Sequence, residues 1–153
     1  MSRGEGPPET PHRFLNPPSL SPPRGFSHAV VAAPGRLVFV AGQAGHRPDG
    51  SLVGDSLVAQ FDRACANVVE ALAAAGAGPE HLVSVQVFVT DAAAYRGSLE
   101  AIGEAWRRHF GRRYPAVSLF EVGSLFDPEA RVELVAVAVV PEAGGATGRA
   151  PGR

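Results

Sequence analysis

Several short segments of the chain are rich in apolar and β-branched residues, a composition typical of β-strands. The pattern predicts five strands, at residues 28–33, 37–41, 82–90, 116–122 and 131–140. The first two are separated by Pro34-Gly35-Arg36, which predicts a β-hairpin. In the third, the valines at positions 83, 85, 87 and 89 are predicted to share one face. A turn is predicted over residues 126–129, between the last two strands.

Two segments show helical spacing instead. Asp55 or Ser56 is predicted to cap a helix that runs to about Ala75, where Gly76 suits the left-handed residue that ends it. Its apolar face consists of Leu57, Phe61, Ala64, Val68 and Leu72. A second helix is predicted to begin at Asp91 and to stop before Gly111. Its single continuous apolar stripe consists of Tyr95, Leu99, Ile102, Trp106 and Phe110.

The resulting order, ββαβαββ, predicts an α+β fold with a mixed sheet covered on one face by two helices. Seven of the fourteen prolines fall within the first 23 residues. Residues 1–22 are therefore predicted to form an extended, partly disordered arm, because proline removes a backbone donor. The folded domain is expected to cover residues 23–141, and the glycine-rich residues 142–153 are expected to form a disordered tail.

The last predicted strand is apolar on both faces from Leu134 onward. One face can pack on the helices, and the other needs a different cover. Another copy of the chain is the simplest candidate, so we expect self-association. The alternative is an exposed strand that is merely rich in β-forming residues.

Composition narrows the classes of function. Acidic and basic side chains nearly cancel, at 15 against 14, and no basic block is present, which argues against nucleic-acid binding. Cys65 is the single cysteine, so no internal disulfide forms, and a reducing cytoplasm is expected. No apolar run is suited to crossing a bilayer, and the first residues lack the apolar core of a secretory signal. The histidines lack metal-ligand spacing, and no phosphate-binding glycine motif occurs, so no cofactor is expected.

Several local motifs resemble the RidA/YjgF family of imine deaminases over roughly residues 24–140. They are GFSHAV (25–30), VFVAGQ (38–43), VFVTD (87–91), PAVS (115–118) and VELVAVA (132–138). The resemblance implies a chorismate-mutase-like fold and a homotrimer with three small-molecule pockets between neighbouring subunits. It further implies hydrolysis of 2-imino acids to 2-keto acids and ammonia, without a cofactor.

The family's polar pocket residues are replaced at the matching positions. The arginine that binds the substrate carboxylate corresponds to Val117, and the glutamate of the last strand corresponds to Val135. The tyrosine corresponds to Phe26 and the serine to Ala41. Each lost charge-assisted hydrogen bond removes about 1.5–3 kcal/mol. We therefore expect a neutral or more hydrophobic ligand than a 2-imino acid.

Some polar groups remain near these positions. Glu133 lies two residues before Val135, on the same face of the strand, and is a candidate catalytic carboxylate, or else a solvated side chain beside Arg131. His28 is a candidate general base, or else a surface residue. Gly42, Gln43 and Ser118 are retained from the family and are predicted to contact the ligand.

The leading hypothesis is a trimeric RidA-like protein that binds a small, apolar metabolite at its subunit interfaces. The alternative is an enamine or imine deaminase, or a related C–N hydrolase, that uses a remodelled pocket. A ribonuclease or translation inhibitor is disfavoured by the near-neutral charge. A stabilising partner without a ligand is a further alternative.

Overall fold

The computed structural model describes residues 8–142, in which three helices and two sheets are formed. The strands are β1 (Arg13–Leu15), β2 (Ala29–Val31), β3 (Gly35–Gln43), β4 (Leu82–Val89), β5 (Ala116–Glu121) and β6 (Val132–Pro141). The helices are α1 (Leu57–Ala74), α2 (Ala92–Arg96) and α3 (Leu99–Phe110), and a 3₁₀ turn covers Pro79–His81. The first seven residues of the predicted arm and nearly all of the predicted tail lie outside the described residues.

The main sheet has the strand order β3-β6-β4-β5. Strand β6 lies antiparallel to both β3 and β4, whereas β4 and β5 are parallel. Helix α1 packs on β3 and β6 and also contacts α3. The predicted α+β class, with helices on one face of a mixed sheet, is confirmed.

The predicted hairpin between the first two strands is wrong. Strand β2 pairs with β1, in a register that places Phe14 opposite Val30. Strand β3 pairs instead with β6, from Gly35 opposite Pro141 to Gln43 opposite Leu134. Local turn residues suggested the hairpin, but the long apolar β6 offers β3 many more hydrogen-bonded pairs than the three-residue β2 does.

Strand β1 lies inside the segment that the sequence predicts as a partly disordered arm. His12, next to β1, is buried. Its Nδ1 accepts a hydrogen bond from the Ala33 N–H, and its Nε2 donates to the His81 carbonyl oxygen, both at 3.0 Å. The part of the predicted arm around His12 and β1 is thus bound to the rest of the fold. The sequence places the start of the folded domain later, after residue 22.

Helix α1 forms as predicted. The Ser56 hydroxyl accepts from the Ala59 N–H at 3.3 Å, and Gly76 follows the helix with a φ of 72°. Its predicted face is buried apart from Leu57, which is half-buried. Gln60 is also fully buried and was not predicted. Its amide hydrogen-bonds to backbone groups of the loops that precede α1 and β6.

The prediction of one helix from Asp91 to Phe110 is wrong, because the chain breaks into α2 and α3 at Gly97 and Ser98. The Gly97 N–H bonds to the Ala93 carbonyl at 2.9 Å and closes α2. Glycine is a poor helix former, which favours a break at this point. Leu99, the first residue of α3, is 57% exposed, whereas Ile102, Trp106 and Phe110 are buried as expected.

The two faces of the main sheet differ in cover. The helix-covered face carries the core residues of β4 and β6, including Val85, Val87 and Val89. The prediction that Val83 shares this face is wrong, since a register shift between residues 82 and 84 buries Leu82 instead. The opposite face, which we call the outer face, has no cover within residues 8–142. Its Phe39 is 75% exposed.

No helix among residues 8–142 is long and apolar enough to span a membrane.

Candidate functional site

A cleft of about 490 Å³ opens beside the edge strand β5. We call it the β5 cleft. One wall is formed by residues 24–26, the opposite wall by α2 and α3, and the floor by Val117 and Leu119 of β5. The other main lining side chains are Tyr95, Leu99, Ile102, Trp106 and Tyr114. Most of this lining is apolar, so the cleft is suited to a small hydrophobic ligand.

Hydrogen bonds fix the segment that carries Phe26 to the start of β5. The buried Ser27 donates its N–H to the Pro115 carbonyl at 2.9 Å and its hydroxyl to the Tyr114 carbonyl at 2.7 Å. Gly25 has a φ of 73°, a backbone conformation that favours glycine, and it turns the chain just before Phe26. Phe26 and Val117 are therefore held in the lining of one cleft.

Aromatic rings form much of the helical wall. Trp106 stacks on Tyr114 with ring centroids 6.1 Å apart, and its indole N–H donates to the Arg113 carbonyl at 3.1 Å. Tyr95 is half-buried, and burial raises the pKa of its hydroxyl to about 12, so it stays neutral at physiological pH. The wall offers flat apolar surface together with neutral hydroxyl groups.

The other residues predicted to line the pocket lie near the outer face or at a bulge of β3. They are Ala41, Gly42, Gln43, Ser118 and Val135. Val40 pairs with Ala136 and Gln43 with Leu134, so that both Ala41 and Gly42 oppose Val135. Two residues against one is a β-bulge, a feature often found next to functional sites. The Gln43 side chain donates back to the Ala41 carbonyl at 3.1 Å.

Glu133 lies over this bulge. A Cβ atom on residue 42 would collide with Glu133 Oε1, so Gly42 leaves room for the carboxylate. Glu133 is half-buried and pairs with Phe88 of β4. The structure therefore brings the predicted Glu133 and Gly42 together. Within one subunit, Glu133 and Gly42 are on the opposite face of the sheet from Val117. The predicted ligand contact Ser118, next to Val117 on β5, is exposed and pairs with Gln86.

His28 lies beside the β5 cleft but not in its lining. Its ring contacts the edge of Phe26 at a centroid distance of 5.0 Å. Its Nε2 donates to the Ser21 carbonyl at 2.7 Å, which leaves Nδ1 as the nitrogen that can accept a proton. The predicted role as a general base would have to use Nδ1.

A larger cavity, of about 910 Å³, lies between the loops around residues 50–55 and 123–131. Its Asp127 accepts a hydrogen bond from His46 at 2.8 Å, which is the main cause of the lowered pKa of that carboxyl. None of the predicted site residues lines this cavity. We base the candidate site on the smaller β5 cleft because it is more apolar and holds Phe26 and Val117.

Sequence reasoning missed part of the cleft. Tyr95 and Trp106 were assigned to the helix core, and Arg24 and Tyr114 were given no role. Helical periodicity cannot separate a core position from the wall of a cleft, since both are apolar. A usable signal was present for Arg24 and Tyr114, which directly precede the motifs that contain Phe26 and Val117.

Residues 8–142 contain no group of three or more potential metal ligands. Burial raises the pKa of the Cys65 thiol, so the nucleophilic thiolate is strongly disfavoured.

Fold and cleft together define a chorismate-mutase-like α+β domain with a small-molecule-sized cavity at its sheet edge. The sequence profile of the family Endoribonuclease L-PSP matches residues 18–140. The chain belongs to this family, which is also called RidA/YjgF.

Solved structures agree with this assignment. YyfB, a Rid-family protein of unknown function from Yersinia pestis, is 34% identical over 84% of this chain and 98% of its own, with a TM-score of 0.77. The YjgF gene product of E. coli is 28% identical over 69% and 81%, with a TM-score of 0.60. Yeast Mmf1 is 26% identical over 84% and 98%, with a TM-score of 0.59. No curated protein sequence matches the chain significantly.

Proposed function

We propose that this chain is a RidA-like homotrimer that binds a small, largely apolar metabolite in the β5 cleft and is not a standard 2-imino acid deaminase. The single observation that carries this proposal is the apolar lining of the cleft at Val117, the position of the family's carboxylate-binding arginine. An apolar floor cannot replace the water that a bound carboxylate loses there.

Self-association is supported by the outer face of the sheet. Leu37, Phe39 and Phe120 are 61%, 75% and 44% exposed there in the single subunit. Phe88 and Phe120 stack on this face at a centroid distance of 5.4 Å. Exposed large apolar side chains on an uncovered sheet face are typical of a subunit interface, and a second copy of the chain is the occupant that we propose.

The function is tested by 2-imino acid hydrolysis. The imino acids are generated by an amino acid oxidase, and their decay is compared with and without the purified protein. We expect no acceleration by the unmodified chain. Activity gained in Val117→Arg would show that the rest of a deaminase site is retained and that loss of the arginine separates this chain from the deaminases.

Hydrolysis by the unmodified protein, at rates above those of the buffer, would overturn the proposal. The carboxylate would then be held by groups other than residue 117, and the deaminase alternative would take first place. Leu119→Arg, on the same strand and in the same cleft, is the matched control for adding a guanidinium.

Glu133 favours a second candidate, a C–N hydrolase acting on an enamine or imine. Its carboxylate lies against the Gly42 bulge, where it can exchange protons with water beside backbone donors. Glu133→Gln is expected to abolish such hydrolysis, while Glu129→Gln, on an exposed loop, leaves it unchanged. Equal rates in both variants across a panel of imines would end this candidate.

A further inference from the structure

We propose that Arg24 binds the carboxylate of an apolar, aromatic ligand whose body occupies the β5 cleft. This inference rests on the proposed function, because it names the class of ligand that the cleft takes. It replaces the sequence-based expectation of a neutral ligand with an aromatic monocarboxylate, anchored from the wall formed by residues 24–26 and not from the position of Val117.

The first step is the charge of the cleft. Arg24 is the one charged residue in its lining within residues 8–142, and no aspartate or glutamate accompanies it. Arg24 forms no ion pair with the described carboxylates. A single arginine in the lining of an otherwise uncharged cavity favours a ligand with one negative group and an apolar remainder.

The second step is the position of Arg24. Gly25 and Phe26 follow it, and Ser27 is fastened to Tyr114 and Pro115 by the two hydrogen bonds of 2.7 and 2.9 Å described above. The backbone that carries Arg24 is thereby fixed relative to the strand that forms the cleft floor. A cation on a fixed segment loses less conformational freedom on binding than one on a mobile tail.

The third step is the shape of the apolar part. Phe26, Tyr95, Trp106 and Tyr114 contribute aromatic surface to a cavity of about 490 Å³. Aromatic walls pack well against flat rings in offset or edge-on geometry. A ring with a short acidic side chain can place its ring against these walls and its carboxylate at Arg24. A planar guanidinium suits a carboxylate because it can donate two parallel hydrogen bonds.

The test uses two probes of nearly equal shape, 3-phenylpropionate and its neutral amide, 3-phenylpropanamide. Trp106 is the only tryptophan of the chain and lines the cleft, so its fluorescence reports binding there. Isothermal titration gives the affinities. We expect the unmodified protein to bind the carboxylate about tenfold more tightly than the amide.

Arg24→Gln should bring the two affinities within about twofold of each other by weakening the carboxylate alone. Arg24→Lys should keep only part of the preference, because an ammonium does not reproduce the bidentate geometry. Arg36→Gln is the matched control, an exposed arginine on β3 at the far edge of the sheet, and should keep the full preference.

The outcomes separate the two proposals. If the unmodified protein binds both probes equally, or if Arg24→Gln keeps the preference, the role of Arg24 is wrong and the apolar cleft stands. If neither probe binds with a change in Trp106 fluorescence, the ligand-binding cleft is wrong and the inference about Arg24 fails with it.

Discussion

Single residues determine which ligands the β5 cleft can accept. Val117 and Phe26 contribute apolar side chains to its lining, while Tyr95 keeps a neutral hydroxyl at the wall. The hydroxyl stays neutral because burial disfavours the phenolate. The Tyr95 hydroxyl is therefore suited to orienting a ligand by a hydrogen bond while remaining protonated near neutral pH.

Burial of Tyr95 predicts a late alkaline transition. The pKa of its hydroxyl rises from 10.0 to about 12 in the folded protein. Between these values the unfolded chain has lost the proton and the folded chain has kept it, so stability falls as pH rises through this range. Phenolate absorbance should show a component near pH 12 that is missing in Tyr95→Phe. Identical titration curves for both proteins would contradict the burial of this hydroxyl.

The motifs predict Phe26 and Val117 as partners, and the structure places both in one cleft. Tyr95 and Trp106 could not be predicted as cleft residues, because the same apolar helical spacing is compatible with the core and with the wall of a cleft. The meeting of Glu133 and Gly42 depends on a register shift between two strands that are distant in sequence. Such a shift has no signature in either strand alone.

At the scale of elements, pairing between distant strands prevails over local turn signals. The residues Pro34 and Gly35 favour a turn, and β3 nevertheless pairs with β6. A Cβ on residue 35 would collide with the Val140 carbonyl, so this glycine permits close approach of the two strands. The α+β class could be predicted because it follows from the order of helices and strands. The partner of each strand could not be predicted from that order.

The short strand β1 depends on His12. In His12→Ala, the Ala33 N–H and the His81 carbonyl lose a buried partner, and we expect the free energy of unfolding to fall by about 2–3 kcal/mol. Urea unfolding at a fixed protein concentration measures this change. Arg13→Ala, an exposed residue of β1, should change it by no more than about 0.5 kcal/mol. Equal effects of the two substitutions would contradict a fastening role for the histidine.

At the scale of the whole molecule, the uncovered outer face is the main unexplained surface of the single subunit. Its exposed phenylalanines and leucine include residues of the strands at both edges of the sheet. The β5 cleft opens at one of these edges. Val117 and Leu119 of the cleft lie on the helix-covered face, so a neighbouring subunit on the outer face would reach the cleft only around this edge.

Phe39→Asp tests this assembly. A carboxylate in the middle of a buried apolar interface is strongly unfavourable, so we expect the trimer to dissociate into monomers. Multi-angle light scattering after size-exclusion chromatography measures the molar mass, and circular dichroism checks the fold. Phe126→Asp, at a fully exposed loop residue away from the sheet, should leave the mass unchanged. A monomeric unmodified protein, or a trimeric Phe39→Asp variant, would refute the assembly.

Strand β6 is the last strand or helix among residues 8–142 and occupies an interior position of the main sheet, between β3 and β4. During synthesis, β3 and β4 leave the ribosome well before the strand that must join them. Until residues 132–141 emerge, the nascent chain has two apolar strands without their shared partner. The main sheet can therefore be completed only after β6 has been synthesised, and chaperones that bind exposed strands have their longest opportunity during that interval.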